Sequence, residues 1–108
     1  MEYTVTEREP DRALLVEADT GDYDAEASLA ELFDLTESAG AVPVASISQK
    51  LTHLDPATCV GSGKLIEIKD YCAAEEIDLI IFDLELSPVQ IRNIEEATDV
   101  RSMTRRKE

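Results

Sequence analysis

Asp78-Leu79-Ile80-Ile81-Phe82-Asp83 is the stretch from which the fold of this 108-residue chain can be read. Four apolar residues, rich in β-branched and aromatic side chains, stand between two acids. The run is too short for a helix of ordinary length. It is also continuous rather than alternating, so both faces of the segment are apolar. That pattern belongs to a strand buried inside a parallel sheet. Such a strand needs helices above and below it, and the flanking sequence supplies them. Upstream, Leu65, Ile68, Lys69, Cys72 and Ala73 fall on one face of a helix predicted from about Lys64 to Glu76. Downstream, Ser87 is a good helix cap and Pro88 suits a first turn; Val89, Ile91, Ile94, Glu95 and Ala97 carry the helix to about Thr98.

The first half of the chain repeats this grammar. Ala13-Leu14-Leu15-Val16 is a second short apolar run, bounded by Pro10-Asp11 and by Asp19-Thr20-Gly21. From Asp24 to Ala39, the spacing of Leu29, Leu32, Phe33, Thr36 and Ala39 predicts a helix, with Asp22 or Asp24 as its cap and Gly40 as its left-handed stop. Ala41 to Ser48 reads as a strand with Pro43 near its start or on an edge. A polar loop follows through Asp55-Pro56, then a short strand over Thr58-Cys59-Val60. Val100 to Met103 is a further candidate strand, with Ser102 and the arginines beyond it counting against it. Strands alternating with helices predict an α/β fold: a small, mainly parallel sheet of about four strands with helices packed on it. The expected organisation is an extension over 1–10, one domain over 11–100 and a basic tail over 101–108.

Composition narrows the function classes. Hydrophobic residues make up 44% and charged residues 31%, a globular balance, whereas aromatics at 5% leave the core to aliphatic side chains. No apolar run approaches the ~20 residues of a membrane span, and Met1 to Pro10 lacks the apolar core of a signal peptide. A cytoplasmic protein with reduced Cys59 and Cys72 is expected. The net charge is −14, and its distribution is uneven. Residues 1–100 hold 6 bases against 23 acids; residues 101–108 hold 4 bases against 1 acid. An acidic body disfavours broad, nonspecific nucleic-acid binding and leaves room for local contacts.

Several segments invite a chemical reading. Gly61-Ser62-Gly63-Lys64 suggests a phosphate loop, but Thr58 stands where the first glycine belongs and Leu65 where Ser or Thr belongs. Ile66 likewise breaks a dinucleotide fingerprint. The segment reads as a tight turn and helix start; an anion there would meet Lys64 and the adjacent amides. Asp83 and Glu85 after one strand, with Asp19 and Asp22 after another, suggest a Mg²⁺ pocket of the phosphoacceptor kind. The same acids also serve as loop starts and caps, and no later strand delivers the lysine that such a site uses. His53 and Cys59 suggest a thiol and its base, without an orienting group or an oxyanion device. Cys59, Cys72 and His53 lack zinc-ligand spacing. In Glu85-Leu86-Ser87-Pro88-Val89-Gln90-Ile91-Arg92-Asn93, the cap and first turn have structural work, while Gln90, Arg92 and Asn93 are free to bond outward. Arg92 has Glu85, Glu95 or Glu96 as ordinary surface partners.

Four stretches together resemble the N-terminal domain of the HflX family of ribosome-associated GTPases. They are Arg12-Ala13-Leu14-Leu15-Val16, Asp55-Pro56-Ala57-Thr58-Cys59-Val60-Gly61-Ser62-Gly63-Lys64, Asp78-Leu79-Ile80-Ile81-Phe82-Asp83 and Glu85-Leu86-Ser87-Pro88-Val89-Gln90-Ile91-Arg92-Asn93-Ile94-Glu95. The resemblance runs from about residue 11 to residue 100. Cys59, Leu84, Ser102 and Thr104 depart from the family's usual residues, the last two within a version of its V-x-V-x-D-R-T strand. The resemblance implies a docking or regulatory module for the large ribosomal subunit, acting with a GTPase domain in cis in a full-length protein. GTP and Mg²⁺ belong to that GTPase domain, which this sequence does not contain, so no catalytic, cofactor or metal residue is assigned here. The candidate partner-binding residues are Gly61, Ser62, Gly63, Lys64, Glu85, Ser87, Gln90, Arg92 and Asn93. The alternatives are a phosphoacceptor or metal-binding enzyme domain, and a structural module that dimerises through a sheet edge. No membrane partner is expected, and the oligomeric state is open.

Overall fold

Leu79–Phe82 is buried at every position and hydrogen-bonded on both sides, which makes it an interior strand. The computed structural model describes residues 9–105. In chain order they form β1 (Arg12–Asp19), α1 (Ala25–Ser38), β2 (Val42–Lys50), α2 (Ser62–Glu75), β3 (Leu79–Phe82), α3 (Pro88–Thr98) and β4 (Arg101–Thr104). All the pairings are parallel, in the order β2-β1-β3-β4. The α/β class expected from the sequence is the observed one.

Each strand divides its side chains between two layers, because successive residues point to opposite faces. Leu14, Val16, Ile80 and Phe82 pack with Ile68 and Cys72 of α2 and Ile94 of α3. Ala13, Leu15, Leu79 and Ile81 pack with Leu32 and Leu29 of α1. Burying one such aliphatic side chain contributes about 1.5–3 kcal/mol, so the larger α2/α3 layer carries most of the stability. Thr36 and Thr98 are also buried, each donating its hydroxyl to the carbonyl one turn back, at 2.7 and 2.8 Å.

The helix boundaries follow local chemistry. Asp24, rather than Asp22, caps α1 by accepting from the Ala27 amide at 3.0 Å. Just past its end, Gly40 takes φ +93°. Pro43 lies near the start of β2, an edge strand, where its missing N–H is tolerated.

One expectation is corrected and another is observed. Thr58-Cys59-Val60 is not a strand: Asp55 and Cys59 form only an isolated antiparallel bridge, and Cys59 has φ +72°, which breaks an extended run. The candidate strand over Val100–Met103 is observed as Arg101–Thr104, the fourth strand of the sheet. Ser102 fits the interior because its amide donates to the Glu95 carboxylate at 2.8 Å and its hydroxyl to the Val100 carbonyl at 3.3 Å. Of the expected extension and tail, residues 1–8 and 106–108 lie outside the described residues.

Candidate functional site

The strand order reverses direction between β1 and β3. Their carboxyl ends therefore flank the crevice where open α/β sheets place ligands. An open cavity of ≈ 430 Å³ lies there, lined by Thr20, Asp22, Tyr23, Leu54, Asp83 and Glu85 among others. Its acids are largely committed to the fold. Asp83 is fully buried and accepts from the Ser28 hydroxyl at 2.7 Å and from the Arg105 guanidinium at 3.2 Å. Arg105 also donates to the Ser28 carbonyl at 3.1 Å and pairs with Glu31. Asp19 caps the turn at the Gly21 amide, and Asp22 accepts from the Thr20 hydroxyl. Tyr23 donates to the Ala18 carbonyl; burial first, then the charges of Glu17, Asp83 and Asp19, push its hydroxyl up to about 12. Among the described residues, no three of His, Cys, Asp and Glu are gathered so as to hold a metal.

The thiols are no better placed for chemistry. Cys59 is fully buried, and burial, helped by the Asp55 charge, pushes its pKa up to about 11. A thiol held that high is a poor nucleophile. His53 lies exposed in the preceding loop. Burial likewise lifts Cys72 to about 11.

A second arrangement joins segments far apart in sequence. The Asp55 carboxylate accepts from the Ala57 and Thr58 amides at 2.7 and 3.1 Å, and the Asp55 and Cys59 backbones exchange two hydrogen bonds. These contacts close Asp55-Pro56-Ala57-Thr58-Cys59 into a tight loop. The start of α3 then grips it. Gln90 donates through Nε2 to the Asp55 carbonyl at 3.0 Å while its Oε1 accepts from the Ser87 amide at 2.9 Å. The Ser87 hydroxyl oxygen in turn accepts from the Gln90 amide at 3.2 Å, completing a capping box. Asn93 donates to the Ala57 carbonyl at 3.0 Å. Gln90 and Asn93, read from the sequence as outward-bonding, thus bind their own chain.

The remaining candidates stay outward. Ser62, Gly63, Glu85 and Arg92 are exposed, and Gly61 is half-buried at the cap of α2. Lys64 pairs with Glu67 at 3.2 Å. Among the described residues Arg92 forms no ion pair: Glu95 is turned to the Ser102 amide instead. A Cβ built on Gly61 or Gly63 would meet nothing within 4 Å, and neither glycine has a left-handed φ. The fold itself does not demand glycine at either place.

The loop and the helix start that grips it are the two segments carrying the resemblance noted above, and comparison with known proteins bears on them directly. The family described as GTP-binding GTPase N-terminal matches residues 26–107. The chain belongs to that family. Its relatives are HflX-type GTPases, whose N-terminal domain it matches. The chain is 44% identical over 96 residues to GTPase HflX of Lacrimispora saccharolytica, covering 88% of this chain and 23% of that protein. It is 36% identical over 98 residues to GTPase HflX of Caldanaerobacter subterraneus subsp. tengcongensis, covering 91% and 23%. Against GTPase HflX of Escherichia coli the identity is 39% over 88 residues, covering 80% and 20%. The chain thus spans about a quarter of the length of these relatives and matches the HflX N-terminal domain rather than the GTPase body.

Proposed function

We propose that this domain is a docking and regulatory module for the large ribosomal subunit, acting beside the GTPase body of an HflX-type protein and performing no hydrolysis itself. One observation carries the proposal: Gln90 and Asn93 lock the 55–59 loop against α3, so that Gly61-Ser62-Gly63 and Arg92 are held outward on a fixed base. Glycines that the fold does not need leave room for a partner's close approach. An exposed arginine without an ion pair among the described residues suits phosphate or a base edge. The commitment of Asp83 to Ser28 and Arg105 disfavours a phosphoacceptor, which must be reachable.

Co-sedimentation with purified large subunits tests this reading, with the chain alone and fused to the GTPase body of a relative. Arg92→Ala is expected to weaken binding by about 1 kcal/mol, roughly fivefold, with an unchanged melting temperature. If neither form of the wild-type domain sediments with the subunit, docking is refuted.

A further inference from the structure

We infer that the outer edge of β2 takes up an extended, basic protein segment as an added strand, with its lysines or arginines paired to Glu26 and Asp34 of α1. Strand addition needs a run of unpaired backbone groups at a sheet edge and a side-chain pocket beside it. β2 is an edge strand of nine residues whose single charge is its last residue, Lys50. The opposite edge, β4, has only four residues and opens with Arg101. Pro43 and the register shift between Ala13 and Leu14 blunt the amino half of β2. Its carboxyl half is regular. Leu51 donates inward to the Asp19 carbonyl at 2.9 Å, and the direction of the backbone groups alternates along a strand. Ser46, Ser48 and Lys50 therefore turn their amides and carbonyls away from β1, and among the described residues no strand meets them.

These three residues are exposed and in register with Leu15, Glu17 and Asp19, so their side chains lie on the α1 face. A groove of ≈ 360 Å³ runs there between α1 and β2, floored by Leu15 and Leu29, with Phe33 42% exposed at its rim. Glu26 and Asp34 line the same groove. Helix α1 carries no base, and among the described residues neither acid enters an ion pair. From Glu26 to Asp34 the helix rises about 12 Å. Four residues of strand cover about 13 Å. Residues i and i+4 of an added strand thus match the two acids, and residue i+2 falls between them on the same face, where an apolar side chain enters the groove. The fitting segment alternates accordingly: basic, any, apolar, any, basic. A second copy of this chain fits poorly. Antiparallel pairing of two β2 strands about a two-fold axis sets both α1 helices on one face, acid against acid, between bodies that each carry −14.

The test is amide NMR of this chain titrated with a capped synthetic peptide that reads lysine, threonine, valine, threonine, lysine, flanked by threonines at both ends. The Ser46, Ser48 and Lys50 amides are expected to shift and to gain at least about tenfold protection from hydrogen exchange, while Arg101–Thr104 stays unchanged. A peptide with glutamate for both lysines, and one N-methylated along its backbone, are each expected to bind at least about tenfold more weakly. Ser48→Pro removes an outward amide without touching the ladder to β1, and Asp34→Lys reverses an exposed charge. Both are expected to keep the melting temperature and to weaken the peptide by a similar factor. Any of the following overturns the assignment: no shift at millimolar peptide, shifts confined to β4 or the α2/α3 face, an N-methylated peptide that binds as well as its parent, outward β2 amides already protected in the free chain, or shifts that follow dilution of the chain alone and so report a second copy at the edge.

Discussion

Replacing Gln90 by alanine separates residues that build the site from residues that face a partner. The Gln90 side chain makes two hydrogen bonds to its own chain: Nε2 to the Asp55 carbonyl at 3.0 Å and Oε1 from the Ser87 amide at 2.9 Å. Each contributes about 1 kcal/mol net. Water can reach the Ser87 amide after truncation and reclaims part of that, whereas the half-buried Asp55 carbonyl keeps most of its loss. A destabilisation of about 1.5 kcal/mol is expected, which lowers the melting temperature of a domain this size by about 6–10 °C. Asn93→Ala removes the single bond to the Ala57 carbonyl and costs about 1 kcal/mol. Arg92→Ala, exposed and without an ion pair among the described residues, stays within about 0.5 kcal/mol of wild type. Urea unfolding followed by far-ultraviolet circular dichroism measures all three. A Gln90→Ala variant as stable as wild type, or an Arg92→Ala variant as damaged as Gln90→Ala, would refute the division of labour.

The buried pair at the end of β4 gives a second expectation. Arg105→Ala strips the guanidinium from fully buried Asp83 and costs about 3 kcal/mol, while Asp83→Ala with Arg105→Ala costs less than the sum of the single changes; thermal melts of the three variants decide. The thiols predict a pH dependence. Cys59 and Cys72 titrate from an ordinary 9.0 up to about 11 in the folded chain, so between these values the unfolded state has lost protons that the folded state keeps. Stability is therefore full below pH 9 and falls as pH rises toward 11, and Cys59→Ala with Cys72→Ala flattens that decline. At pH 8 the raised pKa values also leave roughly a hundredth of the usual thiolate, and burial shields both sulfurs, so labelling of the native thiols by a disulfide reagent should be slower than in urea by at least about a hundredfold.

The sheet was legible where apolar runs were continuous. Ala13–Val16 and Leu79–Phe82 each read as strands because both of their faces are buried. β4 was not legible in the same way: Ser102 faces the core as a small polar residue, and the Glu95 carboxylate in the preceding helix, which accepts from its amide, explains why it belongs there. The strand suggested at Thr58–Val60 has the right apolar content, but the left-handed Cys59 shows that turn geometry overrode propensity. At the site, Ser87 and Pro88 announced their cap directly. Gln90 and Asn93 did not announce their partners, because the carbonyls they bind lie 35 and 36 residues away in a loop whose position depends on the fold.

Long-range attraction cannot be the source of any affinity that this domain has for a polyanion. The chain carries −14, and among the described residues Arg12, Lys64, Arg101 and Arg105 already face acids. A body of that sign repels nucleic acid beyond the Debye length of about 8 Å at physiological salt, and only contacts within that range can favour binding. Short-range recognition is penalised by whatever ordering it requires, and a free loop of five residues would lose several kcal/mol of conformational freedom. The clamp from Asp55, Gln90 and Asn93 makes that loss at folding rather than at binding. For the docking proposed above, the fixed loop beneath Arg92 and the Gly61–Gly63 backbone is the feature that offsets the unfavourable charge, so loosening that loop is expected to damage docking even when every outward-facing atom is kept.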